Sequence, residues 1–202
     1  EALVKAGALV SIDTTHASTA AAALKAGAAI ISDVSGLTIE PEMAELVASS
    51  KAPYILTHRR GDARTMNSLA EYTDVAGEVV AELAGVRDKL YAAGVTADQI
   101  IVDPGLGFAK NDAQNWELLQ NLDQLEGLGH RVLVAASRKR FLGTLLTVAG
   151  KSAAPDERDA ATAAITAISA ARGAWAVRVH DVGSSLDAVK VAARMAAVPR
   201  TP

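Results

Sequence analysis

The sequence predicts an α/β protein built on a parallel sheet. Short apolar segments, each ending in a charged or hydrogen-bonding cluster, alternate with stretches of helical periodicity, and no low-complexity linker interrupts them. This alternation predicts parallel strands joined by right-handed helical crossovers. The segments are Leu9–Thr15, Ile30–Gly36, Tyr54–Arg60, Ile100–Phe108, Val132–Arg140 and Ala176–Val182.

The composition excludes several classes of protein. Half of the 202 residues are hydrophobic and the formal net charge is −3, which favours a globular protein over one that binds nucleic acid through bulk charge. The lack of Cys excludes disulfides, thiolate catalysis and Cys-ligated metals. No apolar run approaches the ~18 residues of a membrane span. We expect one domain over residues 1–202, with neither nucleic acid nor membrane as a partner.

The predicted strands are apolar and rich in β-branched residues, as expected of strands buried on both faces. They cover Leu9–Asp13, Ala29–Asp33, Pro53–Thr57, Gln99–Val102, Arg131–Ala135 and Ala176–Val179.

The predicted helices have recognisable ends, such as a closing Gly27 and an opening Pro41. After a helix end at Glu1–Gly7, they cover His16–Ala26, Pro41–Ser49, Thr73–Ala93, Asn115–Gly127, a segment reaching about Ala149, Asp156–Arg172 and Ser185–Ala197. We expect a buried stripe of Ala161, Ala164, Ile165, Ile168 and Ala171, and core positions for Trp116 and Trp175.

Two ways of closing the sheet remain open at this stage. One is an open, doubly wound sheet. The other is a (β/α)8 barrel, which typically needs ~250 residues and eight strands, so that six units would be a barrel without its first two. Periodicity does not separate them, but both place the ligand site at the carboxyl ends of the strands.

Two of these strand ends carry carboxylates. Asp103 opens a glycine-rich run that ends at Lys110. This run matches neither the dinucleotide-binding nor the phosphate-binding loop pattern. Asp13 ends another strand, where it could instead cap the following helix. Together they are compatible with glycoside hydrolysis, a metal site, or a clamp on the N–H groups of a heterocycle.

Other strand ends carry cations, which favour an anionic ligand. Arg138, Lys139 and Arg140 follow one strand, and strand alternation places Arg178 and His180 on one side of the last. The His58–Arg60 cluster opens an irregular stretch to Tyr72 and is either a solvated turn or functional.

These motifs together resemble the dihydropteroate synthase family. SIDTT, ISDVSG, DPGLGFAK, SRK and RVHDV follow in the family's order and spacing, from Ser11 to about Met195. The resemblance implies a pterin-binding (β/α)8 TIM barrel, of which this chain carries strands 3–8 and lacks the first two βα units. It also implies a cytoplasmic, homodimeric, Mg²⁺-dependent transferase. Such an enzyme joins 6-hydroxymethyl-7,8-dihydropterin pyrophosphate to 4-aminobenzoate, yields 7,8-dihydropteroate and pyrophosphate for folate synthesis, and is inhibited by sulfonamides.

The resemblance also implies a role for each matched residue. Pterin contacts are expected from Asp13, Ser32, Asp103, Gly107, Phe108 and Lys139. Pyrophosphate is expected at Arg178 and His180, and 4-aminobenzoate at Ser137 and Arg140. Lys139, Arg178 and His180 are the expected catalytic residues, and the Mg²⁺-linked Asn is expected in the missing N-terminal part.

Three residues depart from the family pattern. Ser32 stands where the family has a pterin-contacting Asn, Thr57 where many members have Met, and Ala135 where Gly is frequent. Two alternatives therefore remain: a non-catalytic pterin-binding paralogue, and a methyltetrahydrofolate–corrinoid methyltransferase on the same barrel. The latter would not need the pyrophosphate-binding cations.

Overall fold

The computed structural model describes residues 1–198 and contains six parallel strands within them. They are β1 Ser11–Asp13, β2 Ile30–Asp33, β3 Tyr54–Thr57, β4 Ile100–Asp103, β5 Arg131–Val134 and β6 Ala176–Val177. The strands lie side by side in chain order, and every adjacent pair is parallel. The predicted alternation is therefore confirmed, and the sheet is part of a TIM barrel.

Helices follow the strands and cover the outer face of the sheet. They are α1 Ala2–Lys5, α2 Ala17–Lys25, α3 Pro41–Ser50, α4 Val75–Ala92, α5 Asp112–Gln120, α6 Leu122–Glu126, α7 Arg140–Leu145, α8 Asp159–Ala171 and α9 Val182–Ala196. Within residues 1–198, none has the length and apolar character needed to cross a membrane.

Alternation along the strands separates two apolar cores. In β3, Tyr54 and Leu56 face the helices and join the large outer cluster with Val102 and Val134. Ile55 faces the other way, into a small inner cluster that Ile101, Leu133 and Ala135 complete. Both faces of the central strands β3, β4 and β5 are thus buried, which explains why these strands are nearly continuous apolar runs.

The register of the strands decides which polar residues share the inner surface. Paired residues of parallel strands point to the same face, and Asp13 pairs with Ser32 while Thr57 pairs with Asp103. Ile55 pairs with Ile101 on that face, two residues before Thr57 and Asp103. The inward residues therefore change from apolar to polar at the carboxyl ends of the strands, where the sequence places the site.

Two of the predicted helices differ from those observed. The Asn115–Gly127 segment begins earlier, because Asn111 caps Gln114 in a capping box, and breaks at Asn121 into α5 and α6. The leucines of this segment that face the core, Leu118, Leu119, Leu122 and Leu125, are buried. The helix expected to reach Ala149 ends at Leu145 as α7, and a positive φ of 50° at Ala149 belongs to the turn that follows.

The predicted buried stripe of α8 is confirmed at Ile165 and in part at Ala161, and it is wrong at Ala164, Ile168 and Ala171. Its inward residues are Thr162, Ile165, Thr166 and Ser169, whereas Ile168 is 53% exposed. Thr162 faces inward because its hydroxyl donates to the Arg158 carbonyl and accepts a hydrogen bond from the Arg138 N–H.

The core position predicted for Trp175 is also wrong. Trp175 is 46% exposed, with the Arg131 guanidinium 4.8 Å from its ring centre. Trp116 does pack against the core, edge-to-face with Phe141 at 4.9 Å between ring centres.

Candidate active site

Asp103 is the buried carboxylate at the end of β4. It is 5% exposed, and one carboxylate oxygen accepts the Gly105 N–H at 2.8 Å. Burial raises the pKa of Asp103, and the positive charge of Lys139, the Gly105 N–H, and the charges of Lys110 and Arg178 oppose that rise. A carboxylate surrounded by cations at the end of a strand is suited to accepting N–H donors from a bound heterocycle.

The glycine-rich loop after β4 lies tightly against its neighbours. Gly105 has a φ of +66°, and a Cβ there would lie 1.8 Å from the His58 carbonyl oxygen. Gly107 has a φ of +77°, and its Cβ would lie 2.9 Å from a methylene of Lys139. Gly105 therefore needs glycine for conformation and for space, and Gly107 needs it for conformation, because the Lys139 side chain is flexible.

Lys139 lies directly against this loop. Its ammonium donates to the Leu106 carbonyl and stands 4.5 Å from the centre of the Phe108 ring. Burial lowers the pKa of Lys139, and the nearby Asp103 carboxylate opposes the effect. The loop and the segment after β5 thus place an ammonium directly against an aromatic face.

A cavity of about 320 Å³ opens beside Phe108 and Lys139. Arg140 and Phe141 at the start of α7 line one wall, and Met66 and Asn67 of the long loop after β3 line another. The predicted aminobenzoate residue Arg140 therefore faces a cavity with an aromatic wall. Ser137 does not line it.

Ser137, Arg178 and His180 form a second group beside the first. The Ser137 hydroxyl lies 2.8 Å from His180 Nδ1 and also accepts the His180 backbone N–H at 3.1 Å. Arg178 follows β6 and donates to Asp13 of β1 at 3.0 Å. This ion pair links the ends of the first and last described strands, and it brings a residue expected to bind pterin into contact with one expected to bind pyrophosphate.

Asp13 is therefore not the cap of α2. His16 occupies the N-cap position, and the Asp13 carboxylate instead points toward Arg178. Both partners are exposed, at 43% for Asp13 and 60% for Arg178, so the pair itself contributes little stability and is accessible to a ligand.

Comparison with known proteins agrees with this geometry. Residues 1–180 match the model of the pterin binding enzyme family. The chain is 49% identical to the dihydropteroate synthase of Mycobacterium leprae, over 94% of this chain and 67% of that protein. The enzyme of Xanthomonas albilineans in complex with 7,8-dihydropteroate superimposes with a TM-score of 0.87 and 34% identity, over 98% of this chain and 72% of that one. The Thermus thermophilus enzyme in complex with 4-aminobenzoate gives a TM-score of 0.88 and 35% identity, over 96% and 73%.

The chain belongs to the dihydropteroate synthase family. Members of this family are transferases of folate biosynthesis. The chain spans about two thirds of the length of the relatives compared, 67% of the M. leprae protein. The partial barrel is accordingly that of the pterin-binding type.

All three departures from the dihydropteroate synthase pattern lie on the inner surface of the barrel, where Thr57 pairs with Asp103. Ser32 is 7% exposed beside Asp13, and its carbonyl accepts the Thr14 N–H at 3.0 Å. Ala135 packs with Ile55, Ile101 and Leu133 in the inner cluster. The Ala135 methyl therefore fills space within the barrel.

The neighbouring carboxylate Asp33 lies outside the site. It accepts hydrogen bonds from the Tyr54 hydroxyl at 2.7 Å and the Ser35 N–H at 2.7 Å. Burial raises the pKa of the Tyr54 hydroxyl well above its usual value, and the Asp33 charge adds to the rise. Ser32 and Asp33 are consecutive in β2, so alternation places them on opposite faces of the sheet. Asp33 is therefore a structural carboxylate, and Ser32 faces the site.

A buried polar network, which the sequence motifs did not predict, lies under the glycine-rich loop. The Lys110 ammonium contacts His58 Nδ1 at 2.9 Å, and His58 Nε2 contacts Glu82 at 2.8 Å. Arg60 completes the chain by donating to both Glu82 and Glu78. The His58–Arg60 cluster is thus not a solvated turn. The one signal for the network in the sequence was Lys110, which closes the DPGLGFAK run and is buried.

The described residues do not themselves make a metal site. Within residues 1–198, no three His, Asp or Glu side chains are grouped closely enough to hold a metal ion. The pyrophosphate end offers the cationic Arg178 with His180, and these suit an anion rather than a divalent cation.

Proposed function

We propose that the full-length protein joins 6-hydroxymethyl-7,8-dihydropterin pyrophosphate to 4-aminobenzoate to form 7,8-dihydropteroate. The observation that carries this proposal is the convergence of three groups at one end of the barrel. Asp103 is a buried acceptor, Lys139 a partly buried cation beside it, and Arg178 an accessible cation next to both. This set suits a heterocycle with a charged leaving group.

The pterin binds between β1, β2 and β4 in this proposal. Asp103 accepts N–H groups of the pterin ring, and Asp13 and Ser32 face the same space. Lys139 donates a hydrogen bond to an acceptor atom of the pterin ring. This bond either replaces or accompanies the one that the ammonium donates to the Leu106 carbonyl. Gly107 allows the loop to approach closely, and Phe108 touches only the edge of the pterin ring.

The cations beside β6 stabilise the departing pyrophosphate. In the reaction the bond between the pterin methylene carbon and the pyrophosphate oxygen breaks, a bond from the aryl nitrogen to that carbon forms, and the nitrogen releases a proton. Negative charge therefore develops on the leaving oxygen, where Arg178 and His180 stabilise it. The aryl amine is already neutral, so positioning contributes more than general base catalysis.

The cavity beside Phe108 receives 4-aminobenzoate. Its aromatic wall suits the ring, and the Arg140 guanidinium at the rim suits the carboxylate. Ser137 contributes indirectly, through its contact with His180. Sulfonamides would compete for the same cavity.

We further propose that the full-length protein is a cytoplasmic homodimer, that residues 1–202 are part of one barrel domain, and that the reaction requires Mg²⁺. The described residues would then act on the pyrophosphate as cations, while metal ligands come from elsewhere.

Assay of the full-length protein tests the function. With both substrates and Mg²⁺, we expect formation of dihydropteroate, with turnover reduced at least about a hundredfold in Lys139→Ala and Arg178→Ala. Lys25→Ala, an exposed change at the end of α2, is the matched control and should retain wild-type turnover. Wild-type turnover in either active-site variant would refute the assigned roles.

A second measurement addresses the paralogue alternative, which Ser32 and Ala135 favour. Calorimetry with the pterin pyrophosphate should show binding, followed by product formation once 4-aminobenzoate is added. Pterin binding without any product would support a non-catalytic pterin-binding protein instead.

A further inference from the structure

Lys110 is a buried cation whose three donors are all directed at neighbouring acceptors. It is 4% exposed, and its ammonium contacts His58 Nδ1 at 2.9 Å, the Phe108 carbonyl at 3.0 Å and the Gly105 carbonyl at 3.2 Å. An ammonium has three N–H groups, so this set satisfies them. Two of the three acceptors are backbone carbonyls of the loop that carries Phe108.

His58 fixes the other end of this arrangement. Since its Nδ1 accepts from the ammonium, its Nε2 carries the proton and donates to Glu82 at 2.8 Å. Glu82 is in turn held by Arg60, whose Nε donates to the two carboxylate oxygens at 2.9 and 3.0 Å and whose Nη2 donates to one of them as well. The side chain of His58 is fully buried, so this chain of contacts runs from the outer surface of α4 to the underside of the loop.

The backbone of His58 also contacts the same loop. Its N–H donates to the Asp103 carbonyl at 2.9 Å, and its carbonyl leaves no space for a side chain at Gly105. The loop segment from Gly105 to Phe108 therefore rests on the end of β3. On its other side it contacts Lys139 through the Leu106 carbonyl.

The two substrates depend on this segment to different degrees. Asp103 belongs to β4 and is positioned by strand register as well as by the Gly105 N–H. Phe108 belongs to the loop and has no strand to position it, and it lines the cavity beside Arg140. A loosened loop would therefore displace the cavity wall more than the buried carboxylate.

We propose that Lys110, held by His58, is a positioning residue that sets the Phe108 wall and thereby determines affinity and orientation for the aromatic amine substrate. This proposal rests on the proposed function, because it assigns the amine to the cavity. Lys110 itself contacts neither substrate.

The first test compares the two substrates in the Lys110→Met variant of the full-length protein. We expect the KM for 4-aminobenzoate to rise and its kcat/KM to fall about a hundredfold, as expected for a misplaced reacting group. The Kd of the pterin pyrophosphate, measured by calorimetry, should stay within about threefold of the wild-type value. Lys89→Met, an exposed lysine on α4, is the matched control and should change neither value.

The second test separates positioning from general destabilisation. His58→Asn retains an acceptor near the position of Nδ1, whereas His58→Leu removes it, and both lose the contact with Glu82. We expect the KM for 4-aminobenzoate to stay near the wild-type value in the Asn variant and to rise as in Lys110→Met in the Leu variant. Cooperative thermal unfolding and unchanged pterin binding establish that each variant is folded.

Three results would overturn the positioning role. They are an unchanged amine kcat/KM in Lys110→Met, an equal loss of affinity for both substrates, or the same amine KM in both His58 variants. A wild-type protein that binds pterin but makes no product would contradict the proposed function instead. In that case the Kd of 4-aminobenzoate, measured with pterin and pyrophosphate bound, replaces its KM in both tests.

Discussion

Replacing Asp103 by Asn should weaken pterin binding selectively. The change removes the negative charge of a 5%-exposed side chain and turns one acceptor oxygen into a donor, while Oδ1 can still accept the Gly105 N–H. The pterin N–H donors are neutral, and a hydrogen bond to a charged group contributes about 1.5–3 kcal/mol. Its loss corresponds to a roughly 10- to 150-fold rise in Kd.

The assay is calorimetric titration of the full-length protein with the pterin pyrophosphate. Asp33→Asn is the matched control, because Asp33 is also buried at the end of a strand, β2, but contacts Tyr54 and Ser35. That variant should lose stability and keep wild-type pterin affinity. An Asp103→Asn variant that binds pterin within threefold of wild type would show that the carboxylate is not the pterin acceptor.

The remaining predictions concern stability and the second substrate. Although burial opposes it, hydrogen bonds lower the pKa of Glu82 from 4.5 to about 2. The native carboxylate therefore stabilises the fold by about 2–3 kcal/mol above the unfolded pKa, and this stability is lost as the pH falls through about 2. In Glu82→Gln, the free energy of urea unfolding should depend less on pH between pH 5 and 2. An unchanged pH dependence would contradict this. Gly105→Ala should destabilise the protein by more than about 2 kcal/mol and reduce activity, because strain at a positive φ adds to a backbone clash. Gly85→Ala in α4, where the new methyl has nothing within 4 Å, should instead be neutral or stabilising in the same thermal denaturation. Arg140→Gln should raise the KM for 4-aminobenzoate about tenfold without changing pterin affinity, since one charge-assisted contact is lost; steady-state kinetics with an unchanged KM would place the carboxylate elsewhere.

The strands could be predicted well because their signal is local. Each is an apolar, β-branched run that ends at a polar residue, and burial of both faces of a parallel sheet requires such runs. Observed and predicted strands agree within about two residues at each end, which is the usual uncertainty of assignment. The strand-end position of Asp103 followed from the same pattern.

The helices were predicted less well where burial depends on neighbouring elements. Ile168 is apolar yet exposed, and Thr162 is polar yet buried, because the hydroxyl of Thr162 has backbone partners around Arg138. Hydrophobic periodicity assumes that polar side chains face water, and it fails where a buried hydroxyl is hydrogen-bonded.

The sequence by itself determined the order of the βα units, the edge of the sheet that carries the polar residues, and the family motifs of the site. Only the tertiary structure decided which of these residues meet. Asp13 and Arg178 are 165 positions apart and lie 3.0 Å apart, and Lys110 reaches back to His58 across 52 positions. Such contacts depend on the curvature of the sheet and on loop conformation. Both arise from packing between elements distant in the chain, which no local pattern of residues encodes.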